Sequence, residues 1–458
     1  MPPEKIDSLD DDLKPMVLQI VTQNASLLKR IDELLAQIKA QSERIAELEA
    51  KIGKPPKTPD NSSLPPSRGQ KTNAEPVAAK QPRKGRLGVA RALSETPDAT
   101  RNIYAERCGC GKKLAEAGQK LANAYDHVDL PPIKPMTTRI NLFGATCPCC
   151  KTRVTARAPA DMAPGSPFGP GIQAAITYLH GCQMVGFKRL TELCQGLFGL
   201  TISQGAISNI LARAASPFAA VADEIAATVR ASEVIASDET SARVKRKTHW
   251  QWTFGCATAV YHVIAPTRGK CVPTAFLAGA RPKVWLSDRL PAQCTHAQAH
   301  QFCLGHLLRD AQYAIDHGDT IFAPQFKAFL KDACAVGRRR PDLADRTIVS
   351  HRRRLERELD RLLALEPTDA EGSHLRAAIA VTAHDKLLVF LTRRDVEPTN
   401  NESERELRPS VIFRKVTNGF RSDWGAKVYA DLCSIVATGR RNGRSALVAI
   451  RDALAAPA

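Results

Sequence analysis

The strongest constraint on this chain is a heptad repeat over residues 16 to 52. With Asn24 set at an a position, Val17, Ile31, Ile38, Ile45 and Ile52 fall at the other a sites. Ile20, Leu27, Leu34, Gln41 and Leu48 then fall at d. Ile at a with Leu at d favours a parallel two-stranded coiled coil, and one polar Asn at a costs stability while fixing register. The other reading is a single amphipathic helix packed on its own chain. Five heptads of this regularity favour a self-association helix, and with it a homodimer or higher oligomer.

The pattern stops at residue 53. Residues 53 to 101 hold eight Pro, no aromatic residue, ten Lys or Arg and four Asp or Glu. Such a stretch buries too little apolar surface to offset its ordering entropy, so it reads as a flexible basic linker. The whole chain has 458 residues, enough for about three folding units, and a formal net charge of +18. That charge makes a polyanion such as DNA or RNA the leading partner class. No run approaches the ~18 to 20 apolar residues of a membrane span, and the first residues, MPPEKIDSLDDD, are acidic rather than signal-like. The expectation is a cytoplasmic protein with no membrane contact.

The chain has thirteen cysteines, an odd number. Cys182, Cys194, Cys256, Cys271, Cys334 and Cys433 stand alone and read as small buried hydrophobes in a reducing compartment. Residues 102 to 158 are different. RCGCGKKL is followed about forty residues later by ATCPCCKTRV. Two such knuckles can supply four thiolates, Cys108, Cys110, Cys147 and Cys150, to a structural Zn²⁺. The one-residue gap between Cys108 and Cys110 is tighter than most zinc knuckles.

Residues 159 to 230 read as helical. FGLTISQGAISNILARAA predicts a helix, a short turn and a second helix capped by Ser203. Ile202, Ile207, Ile210 and Leu211 face inward, while Gln204, Ser208 and Asn209 face out. A second helix with such a polar face has the layout of a helix-turn-helix that reads a major groove.

Short β-branched and aromatic runs follow: EVIASDETSARV, WQWTFGCATAVYHVIA and PKVWLSDRL. Two apolar runs stop at an aspartate, Asp238 and Asp288. A long helical region is expected at about 306 to 394, with Ile348, Leu355, Leu359 and Leu362 at helical spacing. Beyond it, Asn400 and Asn401 read as helix caps before Glu404. Carboxylates at strand ends on one side of a sheet are where Mg²⁺ is held for phosphoryl transfer, because it takes oxygen ligands and keeps waters. Asp238 and Asp288 fit as a strand-borne pair, and Glu404 as a third ligand from a later helix.

TNNESERELRP followed by RK, with SDETS and WLSDR upstream, resembles the bacterial insertion sequence 66 family of DDE transposases over nearly the whole chain. The resemblance implies a mixed α/β fold. An RNase H-like core (231 to 424) with a helical insertion follows a coiled coil (1 to 52), the basic linker, a zinc-binding module and a helix-turn-helix region, and a helical segment (425 to 458) closes the chain. It implies a DDE triad of Asp238, Asp288 and Glu404 binding Mg²⁺ or Mn²⁺, with Asn400, Asn401 and Arg405 in the N-N-x-x-E-R element. FCLGHLLRD resembles the C-x-x-H element after the second aspartate, giving Cys303 and His306 packing and orienting roles. Where the family commonly has Asp before the paired asparagines this chain has Thr399, and Arg289-Leu290 replaces the usual Gly-Tyr. The implied activity is DNA cleavage and strand transfer at the ends of an insertion sequence, with Arg405, Arg408, Arg414 and Lys415 neutralising phosphates. Accessory proteins of the same element, and a nucleoid-associated location, go with it. A catalytically retired DNA-binding regulator and an RNase H-like nuclease without end specificity are the competing readings.

Overall fold

Residues Lys14–Ile52 form one uninterrupted helix, α1, as the heptad period requires. In the single chain its apolar stripe faces solvent: Ile20, Leu27, Ile31, Leu34 and Ile38 are 44 to 59% exposed. This computed structural model describes residues 14–52, 57–58, 61–62, 91–159, 162, 164–382 and 384–456. Most of the predicted linker therefore lies outside the described residues. No helix among those described is long and apolar enough to cross a membrane.

In the cysteine-bearing stretch, a two-stranded hairpin pairs β1 (Gly144–Thr146) with β2 (Arg153–Thr155). Four helices follow: α2 (Pro170–Thr177), α3 (Phe187–Phe198), α4 (Gln204–Arg213) and α5 (Ala215–Arg230). α3 stops at Gly199, whose φ of 63° is the left-handed conformation that ends helices and that glycine adopts without strain. α4 starts at Ser203, whose hydroxyl accepts the Ala206 N–H at 3.1 Å. Ile202, Ile207, Ile210 and Leu211 close a small core with Leu190 and Cys194. Gln204 and Asn209 are exposed and Ser208 is half-buried. Removing the cap with Ser203→Ala is expected to speed amide exchange in the first turn of α4 roughly fivefold, the equivalent of about 1 kcal/mol; unchanged exchange would show that the cap contributes nothing.

The sheet comes next. β3 (Val234–Val244) and β4 (Lys247–Gly255) form an antiparallel hairpin. It turns on Lys245 and Arg246, both at positive φ (48° and 66°), the conformation whose twist matches two paired strands. β5 (Val260–Ala265) extends it antiparallel. After α6 (Cys271–Leu277), β6 (Val284–Ser287) and β7 (Ala299–Phe302) add in parallel on the other side of β3. The order is β5-β4-β3-β6-β7. Strand alternation sends Ile235, Trp252, Phe254 and Trp285 into one apolar core, where Phe254 stacks on Phe276 with ring centroids 4.0 Å apart.

A second core lies beyond β7. It is built by α7 (Leu304–Asp316), α8 (Phe322–Arg339), α9 (Asp345–Leu363) and α10 (Ala370–Thr382). Phe322, Phe326 and Phe329 fill its centre, and Ile348, Leu355, Leu359 and Leu362 form the buried stripe of α9. The chain then returns to the sheet as α11 (Asn401–Thr417), α12 (Asp423–Arg441) and α13 (Ala446–Ala455). α12 covers the free edge of β5. Thr438 Oγ1 accepts the Val260 N–H at 3.0 Å and Ser434 Oγ accepts the His262 N–H at 2.8 Å. Strand donors left open there would otherwise template pairing with another chain.

Candidate active site

The parallel register explains why two distant aspartates meet. β3 pairs with β6 through Val234↔Val284, Ile235↔Trp285 and Ala236↔Leu286. Two residues further along each strand stand Asp238 and Asp288, in step and on the same face, because side chains repeat every second residue. One expectation is corrected here. Asp288 directly follows β6, but Asp238 does not end its strand: β3 continues to Val244 and pairs Asp238 with Thr253 of β4. What ends near Asp238 is the parallel pairing, since β6 is only four residues long.

Glu404 arrives from α11, and the start of that helix is nailed to both neighbours. Leu304 N–H donates to Pro398 O at 3.0 Å, and Asn400 N–H donates to Cys303 Sγ at 3.1 Å. Asn400 Nδ2 donates to the carbonyl of Ser237, the residue before Asp238, at 2.8 Å. Asn400 thus occupies the N-cap position without capping. Its side chain makes no cap bond and turns to the strand instead, and Asn401 is the first helical residue. This corrects the expectation of two capping asparagines. The buried Asn400 Oδ1 has no hydrogen-bond partner among the described residues.

The electrostatics follow from the register. Burial raises the Asp238 carboxyl well above its ordinary range, and the charges of Glu239, Asp288 and Glu404 push it the same way. The Glu239 N–H, donated to Asp238 Oδ1 at 2.9 Å, opposes them. Asp288 Oδ1 accepts the Leu290 N–H at 3.0 Å. Glu404 Oε1 lies 3.2 Å from Arg309 Nη2 and 3.8 Å from His306 Nε2. Burial and the Arg309 charge lower the His306 pKa, so the imidazole beside Glu404 stays neutral near pH 7. Burial pushes the Cys303 thiol up to about 11, so it acts as a neutral acceptor holding the α11 start. Glu402 is exposed and points to Arg441 at 2.8 Å, which separates it from Glu404.

Sequence reasoning missed two supporting groups. Arg309 lies three residues after His306 on α7, a spacing that puts both on one helix face. Glu239 is the neighbour of Asp238 but enters the opposite side of the sheet. Arg268 donates to its Oε1 through Nε at 2.8 Å and Nη2 at 2.6 Å, and Gln293 donates to Oε2 at 2.7 Å. With both oxygens engaged, Glu239 braces the two loops flanking the site. Arg289 donates to Asp310 at 2.6 Å and ties the loop after Asp288 to α7.

The basic residues of α11 divide. Arg405, Arg408 and Lys415 are exposed, whereas the Arg414 guanidinium bonds the carbonyl and hydroxyl of Ser241 on β3. The cysteine knuckles remain two separate pairs. Cys110 lowers the Cys108 pKa by hydrogen bonding, and Thr152 and then Cys147 bring Cys150 down to about 7. Among the described residues no group of three or more His, Cys, Asp or Glu closes to metal-ligating geometry, at the knuckles or at the acids. All thirteen cysteines are free.

A mixed five-stranded sheet of this order, with acids on adjacent central strands, is compatible with the core of a nuclease-like enzyme. The family model described as Transposase IS66 family matches residues 165–428. The chain belongs to that family, and its role is broadly that of a transposase. No curated protein matches the chain.

Proposed function

We propose that the protein is a DDE transposase that cleaves the ends of an insertion sequence and joins them to target DNA, with Asp238, Asp288 and Glu404 as its catalytic carboxylates. The observation that carries this reading is the charge crowding at Asp238, where three further carboxylates, Glu239, Asp288 and Glu404, press on an acid already disfavoured by burial. An all-oxygen donor set with unbalanced negative charge fits Mg²⁺ or Mn²⁺. When bound, such ions activate the attacking oxygen and stabilise the leaving one.

The chain's own residues do the rest. Asp238 and Asp288 present oxygens from adjacent strands, whose register sets their spacing. Asn400 and Cys303 hold the start of α11 so that Glu404 faces them, and Arg309 and His306 orient its carboxylate. Arg405, Arg408 and Lys415 on α11 attract the phosphate backbone. Arg414 contributes positive charge from behind, beside Ser241. Gln204, Ser208 and Asn209 on α4 read base edges, and α1 pairs two copies. Cys108, Cys110, Cys147 and Cys150 are the residues that would hold a structural Zn²⁺, and the depressed Cys108 and Cys150 pKa values favour the thiolate that zinc takes. The protein works in the cytoplasm at the nucleoid, with accessory proteins of the same element as further partners.

The test incubates the full chain with Mg²⁺ and either matched inverted-repeat ends or scrambled ones. Cutting of matched ends alone supports the proposal. Cutting of both identifies a nuclease, and binding without cutting a regulator. Gln204→Ala and Asn209→Ala are each expected to weaken matched-end binding about tenfold and to leave scrambled DNA unaffected. Equal losses on both DNAs in a gel-shift titration would remove α4 from sequence reading.

A further inference from the structure

A short piece of the predicted linker is seated on the catalytic domain. Asn61 is only 4% exposed. Its Nδ2 donates to Asp316 Oδ2 at 2.8 Å, at the last turn of α7. Its Oδ1 accepts the Thr58 N–H at 2.6 Å, and its own N–H donates to Thr58 O at 3.3 Å. Ser62 Oγ also donates to Thr58 O. Lys57 places its ammonium 5.5 Å from the centroid of the Tyr313 ring, one turn before Asp316. Gln312, bonded to the other oxygen of Asp316 at 2.6 Å, also receives Lys327 of α8. An asparagine buried in a stretch otherwise rich in Pro and charge is unexpected, since a free tether has no reason to bury an amide.

We propose that Lys57, Thr58, Asn61 and Ser62 form a docking clip that fastens the N-terminal helix to α7 of the catalytic domain. The consequence is one of reach. A tether running from Ile52 to residue 102 could span well over 100 Å at about 3.5 Å per residue, whereas the five steps from Ile52 to Lys57 span at most about 18 Å. The clip therefore leashes the end of α1 close to α7, the helix that carries His306 and Arg309 to Glu404. In a dimer paired through α1, which rests on the reading above, two catalytic domains are held near one another at high effective concentration.

The clip is tested on the full chain by trypsin cleavage after Lys57, with Asn61→Ala and Asp316→Ala as variants. Asp316 is exposed, so its loss leaves the core intact. Each variant is expected to speed that cut roughly tenfold, the effect of losing one buried hydrogen bond that holds the site closed. Lysine crosslinks between Lys57 and Lys327 should form in the wild type and fall in both variants. Equal cleavage and equal crosslinking in all three chains would overturn the clip. Sedimentation of the wild type reads pairing through α1 separately, so a monomer would refute the dimer and leave the clip standing.

Discussion

Asp238→Asn is expected to abolish end cleavage, with a loss on the order of 10³ or more, while making the metal-free protein more stable at neutral pH. The amide keeps the volume and one acceptor oxygen of the carboxylate but removes a charge. Asp288→Asn and Glu404→Gln should match the loss of cleavage. The stability effect has a definite sign. Burial first, then Glu239, Asp288 and Glu404, raise the folded-state pKa of Asp238 above its unfolded value of about 3.9. The folded state therefore disfavours the ionised acid. Below the unfolded pKa the group is protonated in both states and contributes no penalty. As pH rises through the folded pKa the penalty grows to its full size. Thermal melts of wild type and Asp238→Asn should coincide at pH 3 and diverge toward pH 7, with the variant melting higher. Mg²⁺ should raise the wild-type midpoint at pH 7 and leave that of the variant nearly unmoved. A variant that still cleaves at the wild-type rate, or that melts lower at pH 7, would sink the assignment.

Arg340→Met should cost about 3 to 5 kcal/mol of stability and cripple cleavage through the fold rather than the chemistry. The Arg340 side chain is 3% exposed and lies just past the end of α8. Its guanidinium donates to the carbonyls of Phe390 at 2.6 Å and Arg393 at 3.1 Å, also to that of Val396, and to Glu397 Oε1 at 3.2 Å. Without it, buried carbonyls lose their donors, at about 1 to 3 kcal/mol each. The loop it clamps leads straight into Pro398 and Asn400, so its release also frees the start of α11. Gly337, one turn earlier, belongs to the same anchor. A methyl group there would lie 2.8 Å from Pro398 Cγ, closer than packed carbons approach. Arg340→Lys should recover part of the loss, because all three carbonyls converge on Nη1 and an ammonium carries three donors, while the Glu397 contact made through Nη2 is given up. Urea unfolding measures the loss. A midpoint unchanged in Arg340→Met would show that solvent replaces the clamp.

The acids of the candidate site could be nominated from the sequence. Asp238 and Asp288 announced themselves because apolar β-branched runs in VIASD and VWLSD precede each acid. Glu404 depended on the family resemblance, since its helix has a weak apolar stripe and its neighbour Glu402 has the same chemistry. The supporting groups were not legible. Arg309, Glu239 and Arg340 are charged residues that composition assigns to the surface, and only their partners reveal why they are buried or half-buried. Arg414 read as a phosphate contact, yet Ser241 engages it. The linker showed the same failure in reverse. Its composition predicts a solvated chain, and one asparagine at 61 departs from that rule by finding Asp316.

The sequence by itself determined what is local and periodic: the heptad of α1, the stripe of α9, the Ser203 cap, and the alternation that buries Ile235, Trp252 and Trp285. These follow from repeats of 3.5, 3.6 and 2 residues, which a chain carries without knowing its neighbours. Tertiary structure alone decided which charges meet. The β3–β6 register set Asp238 in step with Asp288, fifty positions further along the chain, and the bond from Asn400 to Ser237 fixed the start of the helix that carries Glu404, past the helices of the second core. Register and docking are settled by packing between distant segments, and no local window of sequence contains both partners.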